Sequence, residues 1–187
     1  MARDYHKAAE RYRPAQVRVL FIAESPPAFS SESKQAYFFF EENPGGDLLF
    51  ATIVQAVLGI TYRKRNGVRK ADVLRQFQAK GCWLMDAVER PINKIDGRRT
   101  PERERKNLIE EESTRLLKRI AALDGERQPN EMAVVLIKNL VYECLVEPLR
   151  QAGYCVPQAR AIGFPRYHRD PATIEGIKSA LAKYHRA

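Results

Sequence analysis

Four short, predominantly apolar runs constrain the fold of this 187-residue chain more than any other feature. Strands that are covered on both faces have continuous apolar runs rather than alternating ones, and such strands belong to parallel sheets. Helix-type patterns separate the runs, which favours an α/β domain with a four-stranded parallel sheet. The runs are 17–23, 82–88, 133–137 and 159–164.

Signals for helix starts and stops lie between and after these runs. Gly59 and Gly81 are typical of the residue that ends a helix, and Thr100-Pro101 is typical of a helix start. Strands that alternate with helices predict a three-layer α/β/α sandwich, here a single domain over 1–187 that includes a polar, basic N-terminal extension, 1–16. The predicted helices begin near residues 47, 70, 101, 140 and 171.

The charge of the chain points to a polyanionic partner. Lys and Arg number 32 against 23 Asp and Glu, which gives a net charge of +9 and a pI near 9.6. Such a balance favours nucleic acid ahead of anionic membrane surfaces or phosphorylated small molecules. The positive charge is also clustered, and the cluster supplies candidate nucleic-acid contacts at Arg63, Lys64, Arg65 and Arg69.

Neither a metal site nor a cofactor is expected. The three cysteines have no CxxC spacing, the three histidines are far apart, and the glycine motifs of Rossmann and P-loop proteins are missing from the sequence. No apolar stretch approaches the ~20 residues of a membrane span, and the N-terminus has no signal-peptide core. We therefore expect a cytoplasmic protein without a membrane partner.

The first apolar run ends in the polar stretch AESPP. Ligands of open parallel sheets bind beyond the carboxyl ends of the strands, so Glu24 and Ser25 lie where a crevice is expected. Pro26 and Pro27 prevent a helix from starting there, which excludes the usual phosphate-binding turn. Glu24 is either a catalytic carboxylate or a carboxylate that caps neighbouring amides.

Two further features are candidate parts of a binding site. Four aromatic residues in a row, 37–40, either pack in the core or leave a ring at the crevice that stacks on a nucleobase, with Phe38, Phe39 and Phe40 as the candidates. Asp86 interrupts the second apolar run, so it either lies at an exposed strand end or has a dedicated partner, and it is a candidate ligand-reading residue.

Basic residues follow the third and fourth runs. Lys138 comes directly after the third run, and the stretch FPRYHR after the fourth supplies Arg166, His168 and Arg169. Lys138, Arg166 and Arg169 are further candidate contacts to nucleic acid. The alternative interpretation of this stretch is a basic connecting loop. A serine hydrolase built on Ser25 and His168 is disfavoured because AESPP lacks the glycines of a nucleophile elbow.

Taken together, these features resemble the uracil-DNA glycosylase superfamily. AESPP occupies the place of that family's Gly-Glu-Ala-Pro-Gly or Gly-Gln-Asp-Pro-Tyr motif, and the aromatic segment occupies the place of its base-stacking phenylalanine. Asp86 stands where the family has a base-reading asparagine. The stretch from Phe164 stands where the family has His-Pro-Ser, so the family histidine is replaced and His168 lies four residues on.

The resemblance implies a divergent DNA glycosylase that hydrolyses a base–sugar bond, on uracil or another base. Glu24 and Ser25 would hold the attacking water, and Lys138, Arg166 or His168 would stabilise the departing base. An ionised aspartate only accepts hydrogen bonds, so Asp86 would favour a base edge that donates them. Two alternatives stay open: a non-catalytic nucleic-acid-binding module on the same fold, and a hydrolase or transferase of a phosphorylated metabolite.

Overall fold

The computed structural model describes residues 4–28, 36–42, 47–62, 67–95, 97–124 and 131–184. Its strands are β1 (Val19–Ala23), β2 (Cys82–Asp86), β3 (Lys94–Ile95), β4 (Arg98–Arg99) and β5 (Ala133–Leu136). Its helices are α1 (Tyr5–Glu10), α2 (Leu48–Leu58), α3 (Lys70–Ala79), α4 (Glu102–Asp124), α5 (Asn139–Gln151) and α6 (Pro171–Tyr184).

The larger sheet is parallel and has the order β2-β1-β5, with β1 in the centre. Ala23 at the end of β1 is opposite Asp86, and Ile22 is opposite Leu136. All five residues of β1 are buried, as both faces of a central parallel strand must be. The mixed α/β class with a parallel sheet is therefore confirmed.

The segment predicted as a fourth strand does not form one, and the described residues contain three strands in this sheet. The predicted run, 159–164, meets β5 at one isolated parallel bridge, Ile137 with Ile162, and a second bridge joins Ala133 to Cys155, which precedes the run. Between the bridges lies Pro157, which has no N–H to offer a neighbouring strand. The buried carboxamide of Gln158 takes the strand's place, because it accepts from the Leu136 N–H at 2.7 Å and donates to the Leu136 carbonyl at 2.9 Å.

The predicted helices are confirmed. The Asp47 carboxylate accepts a hydrogen bond from the Phe50 N–H at 2.9 Å and so caps α2, which ends at Gly59 with a φ of 70°. Helices α2, α3 and α6 pack together, and α4 packs on α5. None of the described helices is long and apolar enough to cross a membrane.

The N-terminal segment, which the sequence suggested was a polar extension, contains α1 and packs against the sheet. The indole N–H of Trp83 on β2 donates to the Ala9 carbonyl at 3.2 Å, and Tyr12 is 2% exposed. Through Trp83, α1 is therefore attached to β2, which is an edge strand of the sheet.

Candidate functional site

A buried carboxylate held by two cations lies at the carboxyl ends of β1 and β5. Glu24 follows β1 directly, and it is 8% exposed. One of its oxygens accepts a hydrogen bond from Nη1 of Arg105 at 2.5 Å, and the other accepts from Nζ of Lys138. A carboxylate has about four lone-pair positions, so these two contacts leave Glu24 acceptor capacity for a further donor.

The backbone is strained at the residue that supplies one of the cations. Lys138 lies between β5 and α5 with a φ of 91°, a region that side chains other than glycine rarely occupy. Its N–H donates to the Ile162 carbonyl at 2.7 Å, which helps to hold this conformation. Such conformations cost free energy and concentrate at functional sites. Here the strained residue follows β5, and its side chain reaches Glu24 at the end of β1.

The second cation, Arg105, was missed in the sequence. Residues 102–106 are a run of mixed charge, which we interpret from sequence as the solvated face of a helix. Arg105 is nevertheless buried, in the first turn of α4, and it also lies 3.7 Å from Glu102. The available signal was helical spacing, because Arg105 falls four residues before Ile109 on the stripe that also holds Leu116.

The loop that carries Glu24 is fastened at several points. The Tyr5 hydroxyl donates to the Pro27 carbonyl at 2.8 Å, and the Ala28 N–H donates to Oδ1 of Asn93 at 3.2 Å. The Ser25 hydroxyl accepts from the Ile92 N–H at 3.4 Å and donates to the Pro26 carbonyl at 3.2 Å. Ser25 thus contributes to loop structure, whereas its predicted contact with a water stays a prediction.

A groove of about 980 Å³ opens beside Lys138, at the N-terminus of α5. Its lining includes Arg166, which the sequence predicted, and Phe164, which is 46% exposed. Asn139, Gln158 and Arg160 also line it. The groove therefore joins Lys138 to a basic loop that has an exposed aromatic ring.

The other two predicted residues of that loop lie outside the groove lining. His168 is exposed, in the turn that precedes α6. Arg169 is partly buried and has a φ of 61°. The structure thus brings Lys138 and Arg166 to one groove, and Lys138 also contacts Glu24. The predicted roles of His168 and Arg169 stay predictions.

A second cavity, of about 240 Å³, lies at the end of β2 and is lined by Asp86, Tyr37, Trp83 and Arg119. Burial raises the pKa of Asp86 from 3.8 to about 7. The charge of Arg119 and a hydrogen bond with Tyr37 oppose this rise, and the nearby negative charge of Glu24 adds to it. Asp86 is therefore close enough to Glu24 for the two carboxylates to repel each other.

The aromatic run divides between the core and this cavity. Phe38 and Phe39 are 3% and 1% exposed, and the Phe38 ring packs on Phe50 and Phe77 with centroids 5.3 Å and 5.4 Å apart. Phe40 is partly buried and stacks on Tyr5 at 5.5 Å. Of the four rings, Tyr37 lines the cavity at Asp86, so the rings named in the sequence as base-stacking candidates pack against other protein rings.

Most of the predicted basic cluster cannot be placed. Arg63, Lys64 and Arg65 lie outside the described residues. Arg69 is exposed, and two of its nitrogens donate to the Asp72 carboxylate at 2.9 Å. Its neighbour Lys70 is buried instead and pairs with Asp47 at 2.9 Å.

Comparisons with protein-family models, with curated proteins and with solved structures found no match for this chain. Over the residues that the structure describes, no group of three or more His, Cys, Asp or Glu side chains is placed to hold a metal ion.

Proposed function

We propose that this protein is a divergent DNA base glycosylase that hydrolyses a base–sugar bond at Glu24 and Lys138. The observation that carries the proposal is the ion pair between these two residues, which lie 114 positions apart and meet at the carboxyl ends of adjacent parallel strands. Ligands of parallel sheets bind at this edge. In the sequence the same two residues are candidates for the two complementary roles that the reaction needs.

The fold that goes with this proposal is a three-layer α/β/α sandwich of the uracil-DNA glycosylase type. The complete burial of β1, which is expected of a strand covered by helices on both faces, supports the three layers. The two bridges at Cys155 and Ile162 support a fourth strand position, occupied by a segment that pairs with β5 only at its ends.

In the proposed reaction, the oxygen of a water forms a bond to the anomeric carbon of the sugar while the bond to the base nitrogen breaks. Glu24 accepts the proton of the water and stabilises the positive charge that develops on the sugar. The base leaves with the electron pair of the broken bond, and Lys138 donates a hydrogen bond or proton to it. The burial of Glu24 strengthens its electrostatic effect, because the local dielectric constant is low.

The cavity at Asp86 is the proposed position of the flipped base. An extruded base is read by hydrogen bonds to its edge and by contact with aromatic rings, and this cavity offers a carboxyl group beside Tyr37 and Trp83. The ionised carboxylate accepts hydrogen bonds only, so it favours an edge with amino or ring N–H donors over that of uracil. Replacing Asp86 with Asn should shift the base preference of the activity, and an unchanged preference would contradict this assignment.

One observation favours a second candidate, a nucleic-acid-binding module without catalysis. Both oxygens of Glu24 already accept hydrogen bonds from cations, and the Ser25 hydroxyl is engaged within its own loop. A carboxylate in this state has a structural role without any catalysis, because it holds Arg105 and Lys138 at the edge of the groove.

An assay for abasic sites separates the two candidates. Oligonucleotides that carry uracil, hypoxanthine, xanthine or alkylated bases would be incubated with the protein and cleaved with alkali. We expect product on at least one base, and its loss in Glu24→Gln and in Lys138→Met. The matched control is Asp47→Asn, which weakens the buried pair with Lys70 between α2 and α3 and preserves the helix cap.

The outcomes of this assay are distinct. If Asp47→Asn keeps the activity while Glu24→Gln and Lys138→Met lose it at equal folded fraction, the loss reflects chemistry rather than unfolding. If no base is released by the wild type although it binds the oligonucleotide, the binding module is the correct function.

A further inference from the structure

A short basic hairpin projects beside the Glu24 loop, and nothing in the sequence motifs marks it. Strands β3 and β4 form an antiparallel pair that turns at Gly97, whose φ is 77°. Lys94, Arg98 and Arg99 are all exposed. In the part of the chain that the structure describes, none of these three side chains forms an ion pair, and the sequence between Lys94 and Arg99 contains one acidic residue, Asp96.

The pairing within the hairpin works against its own stability. Lys94 and Arg99 lie directly opposite each other across the ladder. Like charges in this position repel, at a cost that is roughly 0.2–1 kcal/mol for cross-strand pairs. Two-residue strands have little other pairing energy to offset it. An anion that binds between the two side chains would relieve the repulsion.

Both ends of the hairpin are fixed to the candidate site. On the incoming side, Ile92 is fully buried and its N–H reaches Ser25, while Asn93 holds the Ala28 N–H. On the outgoing side, the Thr100 N–H donates to the Asn93 carbonyl at 3.2 Å. Helix α4 then begins, and Arg105 in its first turn binds Glu24. The hairpin therefore has a fixed position relative to the carboxylate.

We propose that the β3–β4 hairpin binds the phosphate backbone of a nucleic-acid strand and holds that strand beside Glu24 and Lys138. The partner is a nucleic acid rather than a membrane surface because Glu102, the first residue of the helix that follows the hairpin, also lines the groove beside Lys138. A strand can follow a groove, whereas a planar surface cannot. Arginine, which provides two of the three charges, also matches phosphate geometry with paired donors.

This inference rests on the proposed function for its site, but its test measures binding rather than catalysis. The variant is Lys94→Gln with Arg99→Gln, which removes the repelling pair. The matched control is Arg18→Gln with Lys80→Gln, which removes the same amount of positive charge. These two residues are exposed and lie just before β1 and β2, at the amino ends of the strands and so away from Glu24. The probe is a labelled oligonucleotide, single-stranded and duplex, titrated at several salt concentrations.

We expect the hairpin variant to bind more weakly and to reduce the slope of log K against log salt by about 1.8 for duplex or about 1.4 for single strands, as the loss of two phosphate contacts predicts. The control should change the slope by much less. Thermal unfolding should show the hairpin variant to be at least as stable as the wild type, because a repulsion is gone, so weak binding would not reflect unfolding.

Three results would overturn the proposal. The first is an equal change of the salt slope in the Arg18→Gln, Lys80→Gln control, and the second is an unchanged slope in the hairpin variant. The third is that the wild-type protein binds vesicles containing phosphatidylserine but binds no oligonucleotide. Its failure is distinct from that of the proposed function. If the hairpin variant still releases the base and binds the oligonucleotide with unchanged affinity, only the proposed hairpin contact is wrong. If binding depends on the hairpin but no base is released, only the proposed glycosylase activity is wrong.

Discussion

The guanidinium of Arg105 lies 2.5 Å from the carboxylate of Glu24, although 81 residues separate the two in the chain and both are at most 8% exposed. This contact ties the first turn of α4 to the end of the central strand. Because Lys138 holds the other carboxylate oxygen, one buried anion fixes the relative positions of α4, β1 and β5. The site is therefore part of the packing of the protein as well as a place for chemistry.

Replacing Arg105 with Met should destabilise the protein substantially. Removing one partner of a buried ion pair typically costs roughly 3–5 kcal/mol, because the remaining charge loses its compensation. Lys138 still neutralises Glu24 in part, so we expect the lower end of this range, measured by urea unfolding. The control is Glu102→Gln, which alters an exposed carboxylate 3.7 Å from Arg105 and should change stability by less than about 1 kcal/mol. Equal effects of the two variants would contradict a buried, structurally required pair.

Lys138→Gly and Lys138→Met should separate backbone strain from charge. Both variants remove the ammonium from Glu24, but only glycine accepts a φ of 91° without strain. A non-glycine residue in such a region costs on the order of 1–3 kcal/mol, so we expect the glycine variant to unfold at higher denaturant concentration than the methionine variant. If methionine is the more stable of the two, the conformation at this position is not strained.

Gln158→Glu should destabilise the edge of the sheet. The change keeps the shape of the side chain but removes the N–H that donates to the Leu136 carbonyl, and it places a carboxylate oxygen against that carbonyl. An unsatisfied buried acceptor costs roughly 1–3 kcal/mol, and the repulsion between the carboxylate oxygen and the Leu136 carbonyl oxygen adds to this cost. Gln76→Glu on the exposed face of α3 is the control and should be nearly neutral. If Gln158→Glu and Gln76→Glu are similarly stable at neutral pH, the hydrogen bonds between Gln158 and Leu136 are dispensable.

The sequence predicted those helices and strands that are determined by one short, contiguous stretch of residues. The spacing of apolar residues in α2 and the glycine that ends it are contained in one short segment, and the continuous apolar run of β1 reports burial on both faces. The pairing of Gln158 with Leu136 is not local, because it depends on where Pro157 interrupts a strand and on which side chain fills the gap. Arg105 is an intermediate case, since its helical position indicated burial while its charge indicated solvent.

The candidate site divides in the same way. Glu24 and Lys138 were identified because each directly follows an apolar run, and parallel strands bring such positions to one edge. The aromatic run illustrates the opposite case: composition shows that rings are present, but only the packing of Phe38 against Phe50 and Phe77 decides which rings are enclosed. The structure leaves Tyr37, rather than its neighbours, at the cavity beside Asp86.

Asp86→Asn should remove a pH dependence of stability between pH 4 and pH 7. The pKa of Asp86 is raised from 3.8 to about 7 in the folded protein, chiefly by burial, so in this range the folded state binds a proton that the unfolded state has lost. The stabilisation from this group is complete below pH 3.8 and disappears as the pH rises through 7. At about 1.4 kcal/mol per pKa unit, the loss is at most ~4 kcal/mol.

The asparagine variant does not titrate and keeps an oxygen that can accept from the Tyr37 hydroxyl. Relative to the wild type it should therefore gain stability steadily from pH 4 to pH 7 and no further above pH 7, as measured by urea unfolding across this range. Asp72→Asn is the control, because ion pairs with Arg69 and Arg75 on the surface lower the pKa of Asp72, and its titration lies below this window. A stability difference between wild type and Asp86→Asn that is flat from pH 4 to pH 8 would show that Asp86 is ionised throughout. The cavity would then present a permanent anion, and the base preference proposed for it would not change with pH.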